Sequence, residues 1–539
     1  MPSTTVLLAA MKVHKIRYAD TGRFSNIVTD YLSQREDFKG FYNRFPSREA
    51  FSEQMAERSG KDVDRELLHE VIAEQYANLE LTAAQKNNLT ALKAQDAFTI
   101  TTGHQLCLFT GPLYFVYKIA SIIRLAERVE KEHNKRVIPI FWLATEDHDF
   151  EEVNHARLYG KEVKWESGQT GPVGRMNLDG IEESLDSLAG ILGEGERALS
   201  LMKVLRKAYS STDNLAAATR AFVQHLFAEY GLLCLDADDH RLKKNFAPIM
   251  KQELMGGIIE NATADAIAQL ENRGSKVQAK PRDINLFYIN EAGRWRISRE
   301  GKDYRIVDTD LLFSAEDLLK MLENEPERFS PNVLFRPIYQ EFILPNLATI
   351  GGGGELAYWM ELKGAFSAFD VVMPILFLRA SHLIIDYRSM ARWEEAGFGL
   401  SDFWRPLEQL QKEFSLREGG EEVDILEEKE RMLASFDRIV AKSKAVDPNM
   451  MKFTEAEQAR LRKSVETIEK KLIRAEKKKH ETALSRVEAV QEKFFPGGGL
   501  QERSENIIPF LIKYGHEIID RLVKESDVME GKFTVMLES

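Results

Sequence analysis

Cysteine is nearly absent from this chain: 539 residues hold two, Cys107 and Cys234. That excludes a disulfide scaffold and leads us to expect a reducing, cytoplasmic setting. Long hydrophobic runs are missing as well. No stretch approaches the roughly 18 apolar residues of a membrane span, and the best interior run, 371–378, is strand-sized and contains Pro374. The apolar patch at 6–11 has no basic residue before it, so a signal-peptide layout is lacking. Nor is there an excess of positive charge. With 73 basic and 85 acidic residues the net charge is −12, which argues against nucleic acid as a partner, because phosphate binding needs a basic face. Zinc signatures are absent too: there is no cysteine pair and no His-Glu-x-x-His helix. No metal site is evident.

What remains is an ordinary globular composition, 44% hydrophobic and 29% charged, in a chain too long for one simple core. Two segments carry the most information: AFTITTGHQLCLFTGP at 97–112 and VIPIFWLATEDHDFEEVNH at 137–155. Each is an apolar run that stops in a polar cluster, the signature of a buried strand followed by a loop. Between them, 113–132 has amphipathic helical spacing and is entered through Gly111-Pro112. A strand–helix–strand unit of this kind implies a parallel sheet and an α/β fold. Further strands are expected at 232–235, 346–350 and 371–378, with a helix over 355–366, and antiparallel hairpins over 284–308.

Residues 417–494 differ in kind. Leu461, Val465, Ile468, Leu472 and Ala475 follow the 4, 3, 4, 3 spacing of a coiled coil. The spacing slips near Lys479 and resumes at Ala483, Val487, Val490 and Phe494. Asp447-Pro448-Asn449 reads as a turn between arms at 417–446 and 454–494. Residues 418–430 hold seven acids and one Lys, and 470–479 six bases and one acid. A hairpin would set these blocks face to face. The resulting organisation is a helical segment at 1–95, a parallel-sheet core at 96–385 with insertions near 155–215 and 240–330, a long antiparallel α-helical coiled-coil hairpin at 386–495, and a helical segment at 496–539 returning to the core.

Ligands in open α/β sheets bind beyond the carboxyl ends of the strands. His104 lies just past the first strand, where it could donate to a phosphate or oxyanion, with Thr102 and Gln105 beside it. Glu146, Asp147, His148 and Asp149 follow the second strand; Asp147 and His148 are candidates for acid–base work, and Glu146 and Asp149 for binding an amine. A solvated loop is the plain alternative. Gly351, Gly352 and Gly353, ahead of Glu355, offer backbone N–H groups to an anion at a helix start, or form a turn that needs positive φ. Arg336 and Arg379 could supply charge-assisted bonds. Around the 496–499 glycines, Gly498, Gln501, Arg503 and Tyr514 form either a second anion or nucleotide site or a hinge. Cys107 is expected to be a buried, inert thiol.

Four segments resemble the bacillithiol-biosynthesis cysteine-adding enzyme family: TTGHQLCLFTGPLYFVYK at 101–118, PIFWLATEDHDFEEVNHARL at 139–158, LFRPIYQEFILPNLATIGGGGELAYW at 334–359 and PGGGLQERSENIIPFLIKYG at 496–515. The resemblance implies a Rossmann-like core with connecting-peptide insertions and a coiled coil that makes a homodimer. It also implies a ligase that joins L-cysteine to glucosaminyl malate in the last step of bacillithiol synthesis. The core is similar to the class I synthetase and nucleotidylyltransferase superfamily, which uses ATP. It departs from that superfamily's His-x-Gly-His signature and lacks its Lys-Met-Ser-Lys-Ser loop, so the activating cofactor, ATP or another nucleotide, stays open. An adenylating ligase of other specificity is the first alternative reading, and a non-catalytic coiled-coil scaffold is the second.

Overall fold

The computed structural model describes residues 11–419 and 424–538. The chain forms two compact units, one from the described residues up to Leu383 together with 502–537, and one from 384–501.

The first unit is built on strands β1 (Lys12–Arg17), β2 (Phe98–His104), β3 (Val137–Leu143), β4 (Leu233–Asp236), β5 (Asn346–Gly351), β6 (Ile375–Leu378) and β7 (Lys532–Leu537). Five of them make a parallel sheet in the order β6-β5-β2-β3-β4. Every residue of β3 is buried, and nearly every residue of β2. This is why β3 reads as an unbroken apolar run; in β2 the buried Thr99, Thr101 and Thr102 hydroxyls are hydrogen-bonded within the sheet. The chain moves outward from β2 to β3 to β4, then restarts on the other side at β5 and β6. The reversal lies between β2 and β5, and a crevice opens at the carboxyl ends of the strands there.

Three helices frame that crevice: α1 (Leu113–His133), α2 (Arg336–Ile343) and α3 (Gly353–Glu361). The turn into α1 is unusual. Phe109, Thr110 and Gly111 all have positive φ, and a Cβ on Gly111 would meet Cys107 Cβ at 2.5 Å, so only glycine fits. Asn506 braces the turn by donating to the carbonyls of Phe109 and Gly111 at 2.9 and 2.6 Å.

Several expectations are corrected. The two ends of the described chain are not purely helical: β1 and β7 pair antiparallel, Lys12 opposite Leu537. The 155–215 insertion is regular, with a hairpin (His155–Leu158, Lys161–Lys164) and helices at Ile181–Leu192 and Glu196–Ser210. The strand expected from 371 begins only at Ile375, since Pro374 cannot donate to a ladder. The hairpins expected over 284–308 are present and belong to a five-stranded antiparallel sheet that extends to Pro331.

The second unit contains α4 (Leu407–Gly419), α5 (Leu426–Val446), α6 (Met450–Lys479) and α7 (Glu481–Phe494). The chain reverses at Asp447-Pro448-Asn449, where Asp447 Oδ1 accepts the Asn449 N–H at 2.8 Å. The seam differs from the expected heptads. Val465, Ile473, Glu476, Leu484, Val487, Val490 and Phe494 are buried, whereas Ile468 is 53% exposed and Ala475 is exposed. An α-helix that keeps about 3.6 residues per turn drifts off a 3.5 repeat. The expected pairing of charge blocks is not found among the described residues. Glu469 instead accepts Lys412 at 2.6 Å and Lys429 at 2.9 Å, and Lys477 reaches Gln411 on α4. Helix α4 flanks the later half of α6, where the acidic stretch was expected. Part of that stretch, 420–423, lies outside the described residues.

Candidate active site

A cleft of about 400 Å³ opens at the β2–β5 reversal. The end of β2 contributes Gly103, His104 and Gln105, and Asp147 follows β3. Gly352, Gly353, Gly354 and Glu355 follow β5, and Arg379 follows β6. The helices add Tyr114 and Lys118 from α1, Arg336 from α2 and Tyr358 from α3, and the C-terminal return adds Arg503.

His104 is buried, with its ring against Tyr114 and Phe115. Its Nδ1 lies 2.8 Å from the Gln105 carbonyl. A carbonyl only accepts, so Nδ1 carries the proton and Nε2 keeps its lone pair. Burial and the nearby Lys118 ammonium push its pKa down to about 3. His104 is therefore a neutral acceptor, not the donor to an oxyanion expected from its place at a helix start.

Lys118 is buried beneath it. Its Nζ donates to the Gly103 carbonyl at 2.8 Å and pairs with Glu355 Oε2 at 2.5 Å. Burial alone would raise the Glu355 pKa; Lys118 and the Gly352 N–H, 2.8 Å away, outweigh it and hold the carboxyl below its usual range. The Glu355 carboxylate thus occupies the first N–H of the helix entrance. Those of Gly353 and Gly354 make no hydrogen bond among the described residues. None of the four glycines has positive φ, so the turn reading fails. The need is close approach: a Cβ on Gly351 would sit 2.8 Å from Glu355 Cβ, and one on Gly353 3.0 Å from Val28.

The arginines divide into two kinds. Arg379 is spoken for: its Nη2 bonds Glu502 at 2.7 Å, and its Nη1 bonds the Ala380 carbonyl and Ser381 hydroxyl. The charge-assisted role expected for it narrows to Nε. Arg336 has no carboxylate partner among the described residues. Its guanidinium faces Trp142 and Trp359 at 5.7 and 6.0 Å and donates to Gln340 Oε1 at 2.8 Å. Arg503 is exposed at the rim with no hydrogen bond or ion pair among the described residues. On another wall, Asp147 Oδ2 accepts Gln105 Nε2 at 2.8 Å, while Oδ1 accepts the His148 and Asp149 N–H groups. Among the described residues the cleft therefore has two cations without a carboxylate partner, Arg336 and Arg503, and a separate carboxylate, as a ligand carrying both acid and amine groups would need.

Other sequence candidates lie elsewhere. The Thr102 hydroxyl is buried and donates to the Ile350 carbonyl. Glu146 turns to Lys243, 2.7 Å away, which also binds Asp238. His148 Nδ1 lies 3.2 Å from Arg294 Nη1, a donor, so this histidine accepts from the insertion sheet and does not line the cleft. Asp149 is exposed. Gly498 and Gln501 belong to the second unit, where Gln501 is buried and bonds both the N–H and carbonyl of Ile384. Tyr514 is buried in the first unit and does not line the cleft. Burial pushes the Cys107 thiol up to about 12.

Two family models match. One is described as bacillithiol biosynthesis BshC, N-terminal Rossmann-like domain, over residues 11–380; the other as bacillithiol biosynthesis BshC, C-terminal coiled-coil domain, over residues 382–538. The chain belongs to the BshC family. It is 38% identical to a relative from Flavobacterium johnsoniae over 97% of this chain and 99% of the relative, and 36% identical to one from Christiangramia forsetii over 98% and 99%. A relative from Bacillus cereus is 26% identical over 95% and 97%. All three carry the name "Putative cysteine ligase BshC". Among solved structures, a chain described as an arginyl-tRNA synthetase from Campylobacter jejuni covers 84% of this chain and 99% of its own length at 10% identity, with a TM-score of 0.22. That score carries no argument.

In this BshC chain, sequence reasoning missed Lys118, Tyr114, Tyr358 and Glu502. Lys118 was within reach: it is the lone charge on the otherwise apolar stretch 111–123, one helical turn past Tyr114.

Proposed function

We propose that this protein is a ligase that joins the carboxyl group of L-cysteine to the amine of glucosaminyl malate, completing bacillithiol. The observation that carries this reading is the charge pattern of the cleft. With Lys118 matched to Glu355 and Arg379 to Glu502, Arg336 and Arg503 remain for the malate carboxylates, and Asp147 remains for an amine. The amine nitrogen attacks the activated carboxyl carbon of cysteine; the C–N bond forms and the activated oxygen leaves. Neutral His104 holds the amine by accepting one of its hydrogens at Nε2, and Asp147 takes the proton released. Amide formation from a free carboxylate needs activation, and ATP or another nucleotide is the proposed source. We place the protein in the cytoplasm; no described helix is long and apolar enough to cross a membrane.

Incubating the protein with cysteine, glucosaminyl malate and ATP should yield bacillithiol by mass spectrometry, with AMP and pyrophosphate or ADP and phosphate identifying the activation route. No product, together with adenylation of another acid, would favour the alternative adenylating ligase.

The protein is further proposed to be a homodimer through its helical hairpin. Met432, Ile439 and Val446 recur every seventh residue on α5 and are 40, 49 and 82% exposed, a free heptad seam suited to a second copy. The double variant Met432→Glu with Ile439→Glu should run as a monomer in light scattering with its helicity intact; an unchanged dimer mass would sink the idea.

A further inference from the structure

Glu341 has no role in the chemistry above, yet it is a fully buried carboxylate near the cleft, on the helix that begins with Arg336. Its Oε1 accepts from Gln340 Nε2 at 2.8 Å, Asn346 Nδ2 at 2.8 Å and Thr349 Oγ1 at 3.2 Å. Its Oε2 is buried and makes no hydrogen bond. Arg58, from the Arg48–Ser59 helix, is the charged neighbour, but its Nη2 donates to the Glu341 main-chain carbonyl, not to the carboxylate. Burial raises the Glu341 pKa to about 7. A site that needed only volume would be served better by an apolar side chain, and a half-bonded buried carboxylate is costly to keep.

The neighbouring amide shows what this carboxylate does. Gln340 has one donor end and one acceptor end. Its Nε2 meets Glu341 Oε1 and Thr349 Oγ1, at 2.8 and 3.0 Å. Its Oε1 must then face the other way, where it receives Arg336 Nη1 at 2.8 Å. Were the amide to flip, its NH₂ would confront a guanidinium that can only donate. Among the described residues Arg336 has no carboxylate of its own and otherwise donates only to the Tyr358 hydroxyl, at 3.4 Å, so this amide oxygen is its strongest anchor. The same cluster reaches the sheet: Asn346 on β5 accepts from Thr99 and Thr101 on β2, the strand that ends in His104.

We propose that Glu341 is a positioning residue, which locks the Gln340 amide so that its oxygen holds Arg336 aimed into the cleft. This rests on the reading of Arg336 as a receptor for a substrate carboxylate. The variants Glu341→Met and Gln340→Leu should each raise KM for glucosaminyl malate by about tenfold or more and leave KM for cysteine within about twofold. Glu341→Gln can keep an oxygen at the Oε1 position and should stay within about threefold of wild type. The double variant Gln340→Leu with Glu341→Met should be no worse than either single one, since both act through one path. Equal rises in both KM values, or no rise in Gln340→Leu, would overturn the proposal. Gln340→Leu leaves Glu341 its Asn346 and Thr349 donors, so it remains informative if Glu341→Met fails to fold. If glucosaminyl malate is not the substrate, crystal structures of Gln340→Leu and Glu341→Gln decide instead. Arg336 displaced in the first and retained in the second supports the lock; Arg336 unmoved in the first ends it.

Discussion

His104→Ala should lower kcat/KM by about 10²–10⁴-fold, the range for a positioned group that handles a proton or hydrogen bond at the reacting atom, while the protein stays folded. The imidazole lies at the end of β2, with Nδ1 tied to Gln105 and Nε2 making no hydrogen bond among the described residues. A small void there is walled by Tyr114 and Phe115 and leaves no buried charge behind. Its pKa of about 3 gives the prediction a second arm. A histidine at its ordinary value of 6.5 in the unfolded chain and about 3 in the fold is stabilising, relative to acid, above pH 6.5. Between the two values the unfolded chain binds more protons, so stability is lost as pH falls from 6.5 towards 3. His104→Ala removes this contribution and should lose less stability on acidification over that range than wild type, as read by denaturant melts at stepped pH. Conversely, the activity that depends on His104 should show no titration of this group between pH 6 and 9. Activity within threefold of wild type would remove His104 from the chemistry, and a pH limb near 6.5 that the variant abolishes would mean that the imidazole charges in the working enzyme.

The sheet was legible because parallel strands buried on both faces tend to be apolar throughout: β3 and β6 are, and β2 carries Phe98 and Ile100 among threonines whose hydroxyls are hydrogen-bonded inside the sheet. The pair β1–β7 was not. Its partners lie some 500 residues apart in the chain, and each is a short strand whose exposed positions carry Lys12, His14, Arg17 and Lys532. The lining of the candidate cleft was legible where polar residues sit directly at a strand end, as with His104, Asp147 and Gly352. Beyond that, adjacency in sequence misled. Successive residues leaving a strand point different ways, and distant elements decide which way is used: Lys243 draws off Glu146 and Arg294 draws off His148. Glu502 and Glu341 lie within or beside helices, where nothing in the local pattern singles out either one; Lys118 stands out as a lone charge, but its partners do not. Their meaning comes only from what packs opposite, which periodicity cannot report. The coiled coil shows the same limit. The turn at 447–449 is legible from local chemistry, but α6 packs on α5 and, in its later half, on α4 as well, and a heptad pattern alone does not say which helix will cover it.

Arg336→Ala should weaken glucosaminyl malate far more than cysteine. Hydrogen bonds to charged groups contribute about 1.5–3 kcal/mol each, so losing one carboxylate partner corresponds to roughly 10–150-fold in KM. The guanidinium faces Trp142 and Trp359 and has no carboxylate partner among the described residues, so its removal does not orphan a buried carboxylate. Arg336→Lys separates charge from geometry. Lysine keeps the charge but not the planar fork, and it cannot reach Gln340 and a ligand at once in the same way. An intermediate loss, several-fold milder than alanine, is therefore expected. Calorimetric titration of each variant with glucosaminyl malate and, separately, with cysteine gives the answer free of turnover. Equal losses for both ligands would mean a damaged cleft. No loss for glucosaminyl malate would remove Arg336 from the proposed malate site.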